Sequence, residues 1–293
     1  MLFDSLDCQT CKDFELIISD ALFNERRQEI SELAKSYSFR IVHISQSPNK
    51  WIDNGYTAIC NAQNKGIAYA SGKVCFNIGD GHQFLTKESI ERIWHWYEKG
   101  FCAQGIFTVY NAKGAVRYKS GKNAGKLDRD IRANFVERGD GCYFHKWADL
   151  FYGCSSYPME VCLKVNGYNE LFDGQKALDD VDFGNRLSNA GFNNFVIDKR
   201  IQVAKYEMEN CGLNNINCKA NHSILQHDKR NGIIRANCRA ATMDDVESFM
   251  EKADWNPDYW YWKPDDPDFK LWFENQVIFD LQEIRRKNLE AMA

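Results

Sequence analysis

Three aspartates, Asp179, Asp180 and Asp182, open a run in which Val181, Phe183 and Leu187 recur at helical spacing. Arg186 follows Asp182 at i+4, the spacing of an ion pair along a helix. Carboxylates in a first helical turn suit the partial positive charge at that end, so capping is one reading of Asp179 and Asp180. The other reading is chemical. Two carboxylates held close together, one of them partly buried, raise one pKa and supply a general base.

The stretch before them is built to position a site. YGCSSYPMEVCLKVNGYNELFDG carries a small-residue turn at 153–157, a short helical run at 161–170 and a loop containing Gly174. Strands are predicted at 14–19 (FELIIS), 40–44, 74–78, 103–110, 115–119 and 195–198. Helices are predicted at 1–10, 24–37, 51–70 with a break near 64–66, 86–98 with Thr86 as N-cap, 243–253 and 269–292. This alternation predicts an α/β fold with a mostly parallel sheet. Such sheets bind ligands beyond the carboxyl ends of their strands, where Asp20 and Asp80 both fall.

Composition narrows the class. The chain has 293 residues, 44% hydrophobic and 27% charged, as in soluble globular proteins. A net charge of −4 gives no overall pull towards nucleic acid or an anionic membrane. No apolar run is long enough to span a bilayer, and no basic-then-apolar leader opens the chain. These features predict a cytoplasmic location. The eleven cysteines include one Cys-x-x-Cys, Cys8 and Cys11, without a second pair at zinc spacing. They read as thiols packed as small hydrophobes, with a structural zinc as the other reading. Residues 111–132, rich in Gly, Lys and Arg, read as a mobile loop, either a cationic lid or a solvated run.

Four stretches, in order, resemble the GT-A glycosyltransferases, especially family 2. They are DFELIISDA at 13–21 with Ser5-Leu6-Asp7-Cys8-Gln9 before it, CNAQNKGIAYASGKVCFNIGD at 60–80, the stretch ending LDDVDFGNRL, and QHDKRN at 226–231. The third and fourth are similar to the C-terminal half of inverting galactosyltransferases. The resemblance implies a GT-A (Rossmann-like) domain over 1–231, lacking the family's first strand, with a helical, aromatic-rich extension over 232–293. It implies transfer of a sugar from a nucleotide-diphosphate sugar, a UDP-sugar foremost, to a glycan or other hydroxyl acceptor. Asp180 would be the base and Asp179 would hold the acceptor. Asp20, Asn61, Asn64, Gly66 and Asp80 would contact the donor. Asn166, Gly167 and Glu170 would wall the acceptor site, and Trp147 or Tyr152 would stack on a sugar face. Asp80, His82 and His227 would hold Mn2+ or Mg2+.

Two departures qualify the resemblance. Gly79-Asp80-Gly81-His82 has one Asp where the family has an Asp-x-Asp, so His82 would be the second ligand and favour Mn2+, or the site would be metal-independent. The absent first strand keeps a second function open, a non-catalytic binding protein on the same fold. A zinc-dependent nucleic-acid binder is disfavoured by the acidic balance and the unmatched cysteines.

Overall fold

The computed structural model describes residues 1–47, 58–79, 81–174, 178–206, 225, 229, 232–235 and 280–292. It opens with helix α1 (Leu2–Asp7), strand β1 (Glu15–Asp20), helix α2 (Phe23–Ala34) and strand β2 (Arg40–Ser45). β1 and β2 pair in parallel, from Glu15 opposite Arg40 to Asp20 opposite Ser45. The β-branched run Ile17–Ile18 suits the pleat, and the Glu- and Arg-rich α2 supplies the crossover a parallel pair requires.

Helix α3 (Ile59–Tyr69) runs unbroken through Asn64-Lys65-Gly66, where a break was expected. The reason is tertiary. Asn64 turns its amide outwards: Nδ2 donates to the Tyr168 carbonyl at 2.9 Å and Oδ1 accepts from the Tyr168 N–H at 2.8 Å. It therefore does not compete for its own helix backbone. The rest of the segment expected to be helical, 51–57, lies outside the described residues.

Strand β3 (Val74–Phe76) pairs antiparallel with β8 (Ser156–Pro158). Among the described residues no ladder joins β1 to β3, although Leu16 packs with Val74 and Phe76 on one core and Ile17 with Cys75 on the other. Strand β4 (His82–Phe84) precedes helix α4 (Ser89–Glu98). Thr86 is not the N-cap of α4. Glu88 holds that position without a side-chain cap; Gln9, 81 positions away, accepts from Ile90 N at 3.1 Å in its stead, while Thr86 Oγ1 lies 2.7 Å from Ser89 Oγ.

The largest sheet runs β4-β9-β5-β6, with β5 (Cys102–Asn111), β6 (Gly114–Ala115) and β9 (Phe195–Tyr206), and β7 (Cys142–His145) also pairs with β9. β9 is much longer than the expected 195–198. It runs parallel to β5 over both its halves, with a register shift between Gln104 and Ile106. There a Cβ on Gly105 would lie 2.8 Å from the Ile201 carbonyl. The α/β class is as expected, with mixed sheets: β1–β2 and β5–β9 are parallel, the other ladders antiparallel.

The segment 111–132, expected to be a mobile loop, is laddered. Val116 N donates to Val109 O, Asp128 N to Val116 O and Tyr118 N to Lys126 O, and Thr108 bridges Arg129. It is a hairpin standing on the end of β5.

Two cores flank the sheets. Phe151, Tyr157, Tyr168, Phe172, Phe183, Leu187 and Phe195 fill one; Leu6, Phe39, Phe84, Ile93, Trp96 and Val203 fill the other. At about 2 kcal/mol for each large apolar side chain, these hold the layers together. Short helices α5 (Ala133–Val136) and α6 (Met159–Lys164), helix α7 (Asp179–Asn189) and 3-10 turns at Ala148–Leu150 and Glu170–Phe172 complete the main body. The last helix, α8 (Leu281–Met292), caps α3: Arg285 Nε donates to Ala70 O at 2.8 Å and Asn288 Nδ2 to Ala68 O at 3.1 Å. Cys60, Cys102, Cys154 and Cys162 are free and buried, so they pack as small hydrophobes. No helix among the described residues is long and apolar enough to cross a membrane.

Candidate active site

Helix α7 carries the central carboxylates. It begins at Asp179, directly after Leu178, whose backbone is left-handed (φ +77°). A non-glycine residue there is strained, and such strain collects at functional sites. One turn into α7, Gly184 lets the helix press onto the Ala148–Leu150 turn. An added Cβ would stand 2.6 Å from Ala148 O and 2.6 Å from Phe151 Cβ. Asp182 and Arg186, both buried, form an ion pair at 2.7 Å. Arg186 Nη1 also donates to the Val165 and Gly167 carbonyls, pinning the Asn166-Gly167 turn to α7.

Asp179 and Asp180 each keep a partly exposed edge. Burial, then the neighbouring Asp179, pushes the Asp180 carboxyl up to about 7; Val181 N–H and the Arg132 charge oppose this. Burial also raises Asp179. A carboxylate poised near neutrality takes up a proton readily, which is what a general base requires.

The neighbours of Asp180 include one the sequence hid. Arg132 stood among the basic-loop residues, yet it is fully buried and ion-paired with buried Asp130 at 2.6 Å. It donates to Ser155 Oγ at 3.0 Å and Gly153 O at 2.6 Å, and its guanidinium lies 4.1 Å from the Tyr152 ring centroid. Tyr152 donates its hydroxyl to Asp130 at 2.7 Å. Burial foremost, with the charges of Asp130 and Asp180, raises the Tyr152 phenol. Asp130, Arg132, Tyr152 and Asp180 are therefore one electrostatic unit. In the sequence Asp130 stands two residues before Arg132, a spacing too common to single the pair out.

Beside this unit lies an aromatic shelf. Trp147, 48% exposed, contacts Phe135, Tyr143 and His145 at ring distances of 5.5, 5.9 and 5.8 Å. His145 accepts from Trp147 N at 3.2 Å on Nδ1 and stands 2.7 Å from Gln104 Oε1 on Nε2. Only a neutral ring with its proton on Nε2 satisfies both, and burial foremost pushes His145 down to about 4.

A second group of expected site residues is engaged internally. Asn61 and Asn64 donate to the two oxygens of buried Glu170 at 3.2 and 2.9 Å. Buried Asp173 accepts from Cys60 N and Asn61 N at 2.8 and 3.1 Å, closing the N-terminal end of α3. Asn166 Oδ1 accepts from Leu281 N at 2.8 Å. Gly167 takes positive φ (+69°) and packs against Asn64 and Leu281. Gly66 faces Ile17 of β1, 3.9 Å from its added Cβ. Burial pushes Glu170 up to about 7 and raises Asp173, which also feels Glu170.

Asp20 ends β1. It accepts from Leu22 N at 2.9 Å, lies 3.1 Å from His43 Nε2 and faces Arg26 at 3.6 Å. His82 begins β4, its ring 6.2 Å from that of Phe107. Asp80 and His227 lie outside the described residues. Among the described residues no three His, Cys, Asp or Glu side chains converge as a metal site.

No protein-family description matches the chain, and no curated protein does. Solved structures do. The structure of GalNAc-T7 with UDP, GalNAc and Mn2+ aligns over 96% of this chain and 54% of its own length, with a TM-score of 0.53 and 11% identity. The chain thus spans about half the length of that protein. The mannosyltransferase PcManGT from Pyrobaculum calidifontis, in complex with GDP-Man and Mn2+, aligns over 98% of this chain and 69% of its own, with a TM-score of 0.45 and 10% identity. The likeness to the first shows the fold, which is that of the GT-A glycosyltransferases.

Proposed function

We propose that the chain is an inverting, family 2-like glycosyltransferase that moves a sugar from a nucleotide-diphosphate donor, a UDP-sugar foremost, to an acceptor hydroxyl. The observation that carries this reading is Asp180, held near neutral pKa at the strained start of α7 beside Asp179, Tyr152 and Arg132. The acceptor hydroxyl gives its proton to Asp180 as its oxygen forms the bond to the anomeric carbon. The bond from that carbon to the diphosphate breaks on the opposite face, and its electrons leave with the diphosphate. Asp179 orients the acceptor, and Trp147 offers an exposed ring for a sugar face. Asp130 and Arg132 hold Tyr152 in place, and Arg132 tempers the rise of Asp180.

Asp20, at the carboxyl end of β1, is the residue we assign to the donor nucleoside. Asn61, Asn64, Asn166, Gly167 and Glu170 act one layer back, supporting the floor of the site rather than touching sugar. A divalent ion, Mn2+ or Mg2+, would be held by Asp80, His82 and His227 and would supply charge neutralisation at the leaving diphosphate.

The test pairs binding with turnover. A thermal-shift panel of UDP-, GDP-, CMP- and dTDP-sugars with Mn2+, Mg2+ or EDTA names the donor, and Asp180→Asn then abolishes transfer while leaving that shift in place. A panel flat for every nucleotide favours the non-catalytic reading.

A further inference from the structure

The basic hairpin is a built feature that the reaction above does not use. Between residues 111 and 127 there are five cations, Lys113, Arg117, Lys119, Lys122 and Lys126, and no acid, in a chain of net charge −4. All five side chains are exposed. None has a carboxylate partner among the described residues, whereas Arg286 on α8 pairs with both Glu283 and Glu290. The backbone is ordered by the ladder from Val109 to Asp128, with Arg117 bridging Leu127 and Arg117 Nη1 donating to Gly125 O at 2.7 Å. Asp128 at the base of the ladder is the one acid on the arm, and none of the five cations pairs with it, so their mutual repulsion is eased when an anion binds there.

Placement gives the arm its purpose. Its descending strand runs directly into Asp130 and Arg132, the pair that grips Tyr152 and lies within electrostatic reach of Asp180. An anion on the hairpin is therefore led towards the candidate base. Cations project on both faces: Arg117 and Lys119 share one, Lys126 sits opposite Tyr118 on the other, and Lys122 is at the tip. A flat membrane meets one face or the tip, and surface-binding segments dip large apolar side chains into it. The tip, 120–125, reads Ser-Gly-Lys-Asn-Ala-Gly and has none. Charge on two faces and a tip suits a flexible chain of phosphates that wraps around.

We propose that this hairpin is a docking arm for a phosphate-bearing polymer, and that this polymer is the acceptor. The second clause rests on the transferase reading; the first does not. The probe is fluorescently labelled linear inorganic polyphosphate, followed by anisotropy on the full chain. Five phosphate contacts give a slope of log Kd against log salt of about 3.5, so affinity falls roughly a hundredfold between 50 and 200 mM salt. The variant Lys119→Ala/Lys122→Ala/Lys126→Ala lowers that slope to about 1.4, whereas a control, Arg27→Ala/Lys73→Ala/Lys87→Ala, leaves it unchanged. Equal losses in both variants, or no binding, overturn the proposal. So does binding to phosphatidylglycerol vesicles without binding to polyphosphate, which would make the arm a membrane contact. Retained polyphosphate binding by a native chain that transfers no sugar would keep the arm and remove the transferase reading, and with it the second clause.

Discussion

Asp180 and Asp182 stand two residues apart on the same helix, and the fold treats them oppositely. Asp182 is buried and given a guanidinium at 2.7 Å. Asp180 keeps a partly exposed edge, is given no bonded cation among the described residues, and has its carboxyl pushed up to about 7. The difference follows from helix geometry. Arg186 lies one turn beyond Asp182 on the inward face, whereas Asp180 is within electrostatic reach of Tyr152 and of Arg132, whose bonded partner is Asp130. A paired carboxylate is architecture. An unpaired one, raised by burial and a like charge, exchanges a proton near neutral pH.

Replacing each one breaks the comparison in a different observable. Asp180→Asn should lower kcat/KM for sugar transfer by about a thousandfold, in the range of a lost general base, with little change in melting temperature. Unchanged transfer would remove Asp180 from the mechanism. Arg186→Met should leave Asp182 buried without its cation and free the Asn166-Gly167 turn, destabilising the chain by about 3 kcal/mol in urea unfolding. A small loss there would mean that the pair contributes far less than its burial implies.

Much of this contrast was legible early. The i+4 spacing of Asp182 and Arg186 and the period of Val181, Phe183 and Leu187 marked one face of a helix, which α7 confirms. β1 and β2 were readable from β-branched runs bounded by turn residues. What stayed hidden depended on distant partners. Gln9 caps a helix 81 positions away. Arg132 looks like one more cation in a basic run until Asp130, Ser155 and Tyr152 close around it. Asn64 reads as a helix breaker until Tyr168 takes both ends of its amide. The second half of β9 is interrupted by Lys199 and Arg200, which hide a strand whose length is set by pairing with β5.

The comparison sharpens with pH. Glu170 rises from an ordinary 4.5 to about 7 on folding, chiefly by burial. Between those values the folded chain binds more protons than the unfolded one. Stability from this group is therefore complete below about 4.5 and is lost as pH rises through about 7, by at most about 3 kcal/mol. Asp173, also raised, acts in the same direction. Asp198, held low mainly by Arg200, Trp96 and Arg92 against its burial, contributes stability that is lost only as pH falls below the ordinary aspartate range. Unfolding free energy should thus fall from pH 5 to pH 8, with a shallower slope in Glu170→Gln. Transfer should rise over the same interval as Asp180 ionises. A stability that climbs across that interval, unaltered in Glu170→Gln, would show that these carboxyls are not held neutral.

The smallest effect separates a partner that completes a charge from one that completes a backbone. Helix α3 is closed at one end by Asp173 and at the other by Arg285 and Asn288 of α8. Among the described residues Arg285 neutralises no carboxylate; it satisfies the Ala70 and Ser71 carbonyls at 2.8 and 3.3 Å, where the negative end of the helix favours a cation. Arg285→Ala should therefore cost about 1.5 kcal/mol, the worth of a charge-assisted hydrogen bond at a partly buried site. Arg285→Lys should recover part of it, because an ammonium reaches one carbonyl where the guanidinium reaches two. No measurable loss in either variant would mean that α8 is held by Leu281 and Asn288 without help from Arg285, and that the cation at this helix end adds nothing measurable.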